Sequence, residues 1–379
     1  MKIVCDRDIL FESIGITMKA VSSRTTLPIL ECILIKSDEN GVRLIGNDLE
    51  IGIETASIEA EALEFGSVAI EGKIFADIVR RMPPGDLLIS SDSNNMTLIK
   101  RGKTEFNVLG QPGEEFPYPP EVSREGAFSF SIPSNILKGM IRQTIFSVAA
   151  DDSKPILTGE LLEIRDGMVR LVAVDASRGV ALREMPIIKE GDGPDPGVRL
   201  KAIIPGKALR EVAKLLPDSG SETANIYIIE KTALFELKDC VLVTRLIDGD
   251  FINYENVFTN DYTTLIYADR EALLNAIERT SSITVKDVRK CPLKINVTED
   301  KIILTMNTEM GNAYDEVNVS VEGMPITIGF NPTYLVDALR AIDEPEVCIQ
   351  LTTPLYPCII RHEEYNGYKY LIMPLRMMN

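Results

Sequence analysis

The sequence of 379 residues contains few side chains whose types and spacing could support catalysis. His362 is the one histidine, and it lies in a strand-like run without a serine or cysteine partner in a recognisable motif. The six cysteines show no CxxC pair and no tight spacing, so they predict neither a zinc site nor a disulfide framework. The pair Asp151-Asp152 lies in a polar setting and is interpreted as part of a solvated loop.

Glycine–lysine pairs could indicate a phosphate-binding loop, and this sequence has three of them: Gly72-Lys73, Gly102-Lys103 and Gly206-Lys207. A P-loop requires another glycine five residues before the second one. Those three positions hold Ser67, Thr97 and Lys201. The sequence therefore predicts no catalytic residue, no cofactor and no metal, and the expected protein is not an enzyme.

Three short segments mark an internal repeat that organises the rest of the chain: Leu27–Leu30, Lys154–Leu157 and Lys290–Leu293. Each follows a helix-like segment and precedes strand-like runs. Pro28 aligns with Pro155 and Asp48 with Asp175 at one constant separation, which lengthens after the turn-rich segment 190–196. A period of roughly 130 residues is too long for a solenoid unit and predicts a triplicated domain.

Each repeat is predicted to be an α+β domain with two helices packed on antiparallel sheets. Apolar residues at helical spacing predict helices at 7–21, 73–82, 135–148, 207–216, 270–282 and 333–342. The predicted domains are 1–120, 127–253 and 254–379. Met1–Asp6 has no signal-peptide pattern and no run of about 18 apolar residues occurs, so we expect a cytoplasmic protein with reduced thiols and no membrane contact.

The charge distribution allows two interpretations. The net charge of −17 argues against nucleic acid, whose phosphates attract cations. The six predicted helices, however, carry more Lys and Arg than Asp and Glu, and the rest of the chain is strongly acidic. If the helices share one side of the assembly, a basic interior could hold a duplex weakly through its phosphates. Alternatively, Lys and Arg occur there because they are good helix formers.

Four segments, together with the triplication, identify a resemblance: Arg24 with Thr26–Leu30, Val172–Arg178, Leu246–Tyr254 and Met373–Arg376. Over essentially its whole length the chain resembles the bacterial DNA sliding clamp, the beta subunit of DNA polymerase III. The resemblance implies a ring-shaped homodimer of clamp domains with the helices lining the hole. It implies a processivity factor that encircles double-stranded DNA without sequence specificity and has no catalysis of its own. The implied partners are the DNA polymerase III catalytic subunit, the clamp loader, and other polymerases and repair proteins that bind through short linear motifs.

The resemblance, with charge and helix placement, also suggests site residues. The expected DNA-facing residues are Arg24, Lys73, Arg80, Lys138, Arg142, Lys207, Arg210 and Lys214. The expected peptide-binding pocket contains Leu157, Val174, Ala176, Ser177, Arg178, Gly179, Val257, Leu371, Met373, Pro374, Leu375 and Arg376. The expected dimer interface includes Lys103, Phe106 and Ile283.

Two segments at the pocket depart from the family pattern. The usual Asp-Gly-His-Arg-Leu is Asp175-Ala176-Ser177-Arg178-Gly179 here, and the usual Phe-Pro-Asp-Tyr is Phe251-Ile252-Asn253-Tyr254. We therefore expect an altered pocket outline and peptide preference. Two other hypotheses remain: an enzyme whose site is assembled from scattered residues, and a scaffold of triplicated domains that binds peptides but not DNA.

Overall fold

The computed structural model describes the chain except for residues 24, 121, 151–152, 188–198, 260, 284–290, 363, 365–366 and 378–379. Arg24, the pair Asp151-Asp152 and the predicted insertion at 190–196 therefore lie outside the described residues. By compactness the chain divides into two units. The first is built mainly from residues 1–138 and 210–246, and the second from most of the remainder.

Six α-helices occur in the described residues, close to the predicted positions. They are α1 (Arg7–Thr17), α2 (Gly72–Arg81), α3 (Ser134–Arg142), α4 (Gly206–Leu215), α5 (Arg270–Ser281) and α6 (Pro332–Ala341). The Asp6 carboxylate caps α1 by accepting hydrogen bonds from the backbone N–H groups of Asp8, at 2.8 Å, and Ile9, at 3.4 Å. None of the helices in the described ranges is long and apolar enough to cross a membrane.

Two predicted helices end earlier than expected. The 7–21 helix stops at Thr17 and continues as a 3-10 turn, Met18–Ala20, and the 135–148 helix stops at Arg142 before a 3-10 turn at Ile145–Ser147. Buried threonines lie at both ends. Thr17 Oγ1 donates to the Ser13 carbonyl at 3.0 Å, and Thr144 Oγ1 to the Met140 carbonyl at 2.9 Å. Such bonds to the preceding turn compete with the backbone ladder, which favours the helix ends seen here.

Strands make up most of the remaining structure. The first ten are β1 (Lys2–Asp6), β2 (Cys32–Asp38), β3 (Gly41–Asn47), β4 (Ile51–Thr55), β5 (Ala60–Glu64), β6 (Gly66–Glu71), β7 (Asp86–Ser91), β8 (Met96–Arg101), β9 (Thr104–Leu109) and β10 (Gln111–Pro112). The next eight are β11 (Phe128–Pro133), β12 (Gly159–Arg165), β13 (Met168–Asp175), β14 (Gly179–Pro186), β15 (Leu200–Pro205), β16 (Thr223–Ile229), β17 (Thr232–Glu236) and β18 (Cys240–Arg245). The last nine are β19 (Thr264–Asp269), β20 (Leu293–Val297), β21 (Lys301–Thr308), β22 (Gly311–Asn318), β23 (Ser320–Gly323), β24 (Ile326–Phe330), β25 (Glu346–Leu351), β26 (Cys358–Arg361) and β27 (Tyr368–Ile372).

Within the described residues these strands form four antiparallel sheets. The first unit contains a five-stranded sheet, β5-β1-β7-β8-β9, and a nine-stranded sheet, β10-β6-β2-β3-β4-β18-β17-β16-β11. The second unit contains a nine-stranded sheet, β15-β12-β13-β14-β27-β26-β25-β19-β23, and a four-stranded sheet, β22-β21-β20-β24. Each nine-stranded sheet joins strands of two successive repeats, at the β4–β18 pair in one unit and the β14–β27 pair in the other.

Each unit has a core in which two helices cover two sheets. In the first unit Leu10 and Ile14 of α1 and Phe75 and Val79 of α2 are buried with side chains from both sheets. In the second unit the corresponding core combines residues of α5 and α6 with strands from both of its sheets. The α+β arrangement of helices on antiparallel sheets that the sequence predicted is confirmed.

Candidate functional site

An apolar groove lies over the β14–β27 pair of the second unit. Its cavity volume is about 500 Å³, within the range of ligand sites. Val174, Val180 and Leu371 line it and also belong to the buried cluster beneath, together with Leu157 and Tyr254. The groove therefore has a fixed apolar floor on a paired sheet rather than on a loop, and a rigid site of this kind can hold apolar anchors of a ligand.

Gly179 makes the close strand pairing at this groove possible. It lies opposite Ile372 with a φ of +134°, and a Cβ atom there would be 1.8 Å from the Leu371 carbonyl oxygen. Just before it, Asp175 Oδ1 accepts hydrogen bonds from the backbone N–H of Ser177 at 2.7 Å and of Arg178 at 3.2 Å, which closes a tight turn. A leucine at position 179, as in the usual family pattern, does not fit this backbone.

A segment around Tyr254 forms one wall of the groove and is held by buried polar contacts. The Tyr254 hydroxyl donates to Glu163 Oε2 at 2.6 Å, and Lys201 Nζ lies 3.2 Å from Glu163 Oε1. Burial, together with this hydrogen bond, raises the pKa of Tyr254 well above its ordinary value. An ion pair with Arg165 lowers the pKa of Glu255. These contacts fix the position of the adjacent groove residues.

Arg178 does not line the groove. Its Nη1 lies 2.7 Å from Asp337 Oδ2 and donates to the Phe146 carbonyl at 3.1 Å, while the guanidinium lies 4.8 Å from the centre of the Tyr334 ring. Ser177 points the same way, with its hydroxyl 3.5 Å from that of Tyr334. Both residues therefore face α6, beside the groove.

Three family models match consecutive parts of the chain. The N-terminal domain of the DNA polymerase III beta subunit matches residues 1–120, its central domain matches 131–253, and its C-terminal domain matches 255–376. The chain belongs to the beta sliding clamp family. It is thus a non-catalytic processivity factor of the replicative DNA polymerase, and the fold is the clamp fold of three repeated domains.

Individual relatives agree with this family assignment. The chain is 32% identical over 385 residues to the beta sliding clamp of Staphylococcus epidermidis, and the match covers 99% of each chain. A solved beta subunit structure from Eubacterium rectale is 36% identical with a TM-score of 0.92. The solved sliding clamp of Bacillus subtilis is 31% identical, also with a TM-score of 0.92. Both structural matches cover 100% of each chain.

The structure brings together half of the residues expected for the clamp peptide pocket. Six of them line the groove: Val174, Ala176, Gly179, Val257, Leu371 and Met373. Leu157 lies in the cluster beneath it. Beyond Met373 the chain runs along β24, where Leu375 N donates to the Gly329 carbonyl at 2.8 Å and Pro374 pairs with Phe330. Arg376 is exposed and does not line the groove.

Other groove residues were missed by sequence reasoning. They include Ile252, Gln350, Thr352, Tyr356 and Ile359. Apart from Ile252, these come from β25, β26 and the loop between them, which reach the groove only through the pairing order of the sheet. Ile252 lies in the Phe-Ile-Asn-Tyr segment, which differs from the usual family pattern. That difference was the one sequence feature that could have indicated a role for Ile252 in the groove.

The seven expected DNA-facing cations within the described residues lie on helices, and several are paired with carboxylates. The ion pairs are Arg80–Asp77 at 2.6 Å, Lys138–Asp218 at 2.7 Å, Lys214–Glu211 at 2.7 Å, and Arg142–Asp343. Lys73, Lys207 and Arg210 are exposed, whereas the opposite faces of α2 and α4 are buried. The four ion pairs with carboxylates reduce the positive field of the helices.

Two exposed edge strands contain or adjoin the expected clamp interface residues. Among the described strands of the first unit, β9 pairs only with β8, and its Phe106 is 39% exposed and its Leu109 69% exposed. Among those of the second unit, β22 pairs only with β21. Lys103 is exposed in the turn before β9, and Ile283 is half-buried just after α5. Unpaired edge strands of this kind are templates for pairing with another chain.

No group of three or more His, Cys, Asp and Glu side chains that could bind a metal occurs in the described part of the chain. His362 Nδ1 accepts a hydrogen bond from the Glu364 backbone N–H at 3.2 Å, which is a local turn contact.

Proposed function

We propose that two copies of the chain close head to tail into a ring around double-stranded DNA, and that the apolar groove on each copy binds short peptides of partner proteins. The observation that carries the ring is the strand count of the sheets. Each complete sheet has nine strands, formed where a five-stranded set from one repeat meets a four-stranded set from another. The two incomplete sheets have five and four strands, so β9 of one copy pairing with β22 of a second would complete a further nine-stranded sheet.

The edge chemistry supports this pairing. β9 offers the apolar Phe106 and Leu109, and β22 offers Tyr314, which is 64% exposed. Several cations and carboxylates near these edges are already paired within the chain: Lys100 with Glu105 at 2.9 Å, Arg279 with Asp315 at 2.8 Å and Lys301 with Glu316 at 2.9 Å. Backbone pairing and apolar contact would therefore contribute most to the interface, with Lys103 and Ile283 at its border.

The DNA contact is proposed to be weak and independent of sequence. Cations that share their charge with Asp77, Asp218 or Glu211 cannot hold a phosphate tightly. A topologically closed ring needs only mild attraction, because strong phosphate contacts would slow sliding. The proposed DNA-facing set remains the eight residues expected from the sequence, of which Arg24 is outside the described chain.

Domain boundaries at 1–120, 127–253 and 254–379 are part of the same proposal. The proposed partners of the groove are the DNA polymerase III catalytic subunit, the clamp loader, and other polymerases and repair proteins with short linear motifs. An apolar groove with a methionine, Met373, in its lining can adapt to several such sequences.

Retention on DNA tests the ring. A clamp loader assembles the protein on nicked circular DNA, and retention is measured by gel filtration before and after the circle is linearised. We expect the wild type to remain on circles and leave linear DNA. The variant with Lys73→Glu, Lys207→Glu and Arg210→Glu should be retained poorly, whereas Lys231→Glu, in the β16–β17 turn, should behave as wild type. Equal retention of the triple variant would contradict the DNA-facing assignment, whereas failure of the wild type to remain on circles would favour the scaffold hypothesis.

The interface is tested separately by sedimentation. Phe106→Glu places a charge on the β9 edge and should convert a dimer into a monomer. Phe65→Glu is a matched control, since Phe65 is 60% exposed and directly follows β5, the other edge strand of the same sheet. A dimer that tolerates Phe106→Glu as well as Phe65→Glu would refute the proposed pairing.

A further inference from the structure

We propose that the groove selects partner peptides in which basic residues flank the apolar anchors, with Asp175 and Asp261 as the residues that set this preference. This inference rests on the proposed peptide-binding function of the same groove. It concerns the charge of the ligand, which the apolar character of the groove does not determine.

The charged residues of the groove lining are of one sign. Asp175 and Asp261 are both in the lining, and no Lys, Arg or His among the described residues is. Asp261 is exposed, and neither carboxylate forms an ion pair within the described ranges. A peptide that brings a cation to either carboxylate therefore gains an interaction without breaking one.

A cation close to Asp175 in sequence, Arg178, is held by other groups. Arg178 follows Asp175 closely in sequence, but its guanidinium is held by Asp337, by the Phe146 carbonyl and by the Tyr334 ring. Within the described residues, the hydrogen bonds that the Asp175 carboxylate accepts all use Oδ1 and close the turn that leads to Gly179. Its second oxygen therefore has no hydrogen-bond partner among the described residues.

The remaining polar groups of the groove favour a peptide backbone. The Gln350 amide is in the groove lining and carries both a donor and an acceptor, the kind of group that can hydrogen-bond to a peptide backbone. The apolar anchors of the peptide would then occupy the groove floor, while the carboxylates of Asp175 and Asp261 would distinguish peptides by the charge of the residues beside those anchors. Opposite charge across an interface favours one partner and like charge suppresses another, and the net charge of −17 adds to that bias.

The test uses three fluorescent peptides that share one core of two leucines and a phenylalanine and differ only in flanks of lysine, glutamine or glutamate. Fluorescence polarisation with the full-length protein at low salt should show the lysine-flanked peptide binding roughly five- to tenfold tighter than the glutamate-flanked one. This difference in affinity should become smaller in roughly 0.5 M salt, because salt screens exposed charges. Asp175→Asn with Asp261→Asn should abolish it, because asparagine keeps the turn acceptor but removes the charge. Glu322→Gln, on β23 outside the groove, is the matched control.

The outcomes separate the two claims. If none of the three peptides binds, at any flank charge, the proposed peptide-binding function fails. If they bind with equal affinity, or the glutamate-flanked peptide binds tightest, the groove binds peptides but the charge preference is wrong.

Discussion

Replacing Gly179 by alanine should weaken both the fold of the second unit and its groove. The added Cβ would lie 1.8 Å from the Leu371 carbonyl oxygen, so the two strands must separate by about 1.6 Å to restore the ordinary 3.4 Å contact. The residue would also hold a φ of +134°, which costs an L-amino acid about 1–3 kcal/mol. Loss of one or two ladder hydrogen bonds adds about 1–2 kcal/mol, for a total of about 2–5 kcal/mol.

Urea unfolding followed by circular dichroism measures the stability loss, and fluorescence polarisation with a groove peptide measures binding. Because Val180 and Leu371 are paired directly beside Gly179, separation of the strands displaces the groove floor. We expect the dissociation constant to rise by about tenfold or more, which corresponds to a loss of about 1.4 kcal/mol or more in binding free energy.

Gly167→Ala is the matched control. Gly167 also has a positive φ, +73°, but a Cβ there would meet nothing within 4 Å. This variant should lose only the backbone term, about 1 kcal/mol, and should bind peptide normally. If Gly179→Ala were no less stable than Gly167→Ala and bound peptide equally well, the close approach of β14 and β27 would be refuted.

Three further predictions concern buried and paired groups. Tyr254→Phe leaves the buried Glu163 carboxylate without its hydroxyl donor and should cost about 1.5–3 kcal/mol in urea unfolding; an unchanged midpoint would contradict the contact. Because Arg165 lowers the pKa of Glu255, that carboxylate stabilises the fold above its unfolded pKa and ceases to do so as pH falls through the folded pKa. Wild type should therefore be more stable than Glu255→Gln at neutral pH, with the difference vanishing in acid; a difference that persists in acid would exclude this linkage. Cys291, which is half-buried, should react first with a thiol reagent at neutral pH, monitored by mass spectrometry. Burial raises the pKa of the Cys5, Cys240 and Cys358 thiols to about 12 and that of Cys32 to about 11, so early labelling of these four would contradict their burial.

The helices were predictable from the sequence because each has an apolar face at helical spacing, and four of them are capped by a side chain: Asp6, Glu71, Asp269 or Asn331. Their exact ends were less predictable, and at two of them a buried threonine hydroxyl, of Thr17 or Thr144, donates to the preceding turn. Short strands were harder to predict than helices. β1 alternates between half-buried and buried residues, a pattern too short to identify in isolation.

The groove was only partly predictable. Its residues on β13, β14 and β27 lie in segments that resemble the family, whereas those on β25 and β26 are joined to them only by strand order. Arg178 was expected in the pocket, but its guanidinium forms an ion pair with Asp337 on α6 beside the groove. No local sequence pattern identifies that partner. The ion pair of Lys138 was equally hard to predict, because its carboxylate partner, Asp218, is far away in sequence.

The β4–β18 ladder has a consequence for how the protein can be divided. A cut between the first and second repeats, at a boundary that the sequence suggests, would pass through the middle of a hydrogen-bonded sheet. Both fragments would present an unprotected strand with complementary register, Gly52 opposite Val243. Isolated repeats would therefore recombine with one another or polymerise, so the protein tolerates separation poorly even though its sequence is modular.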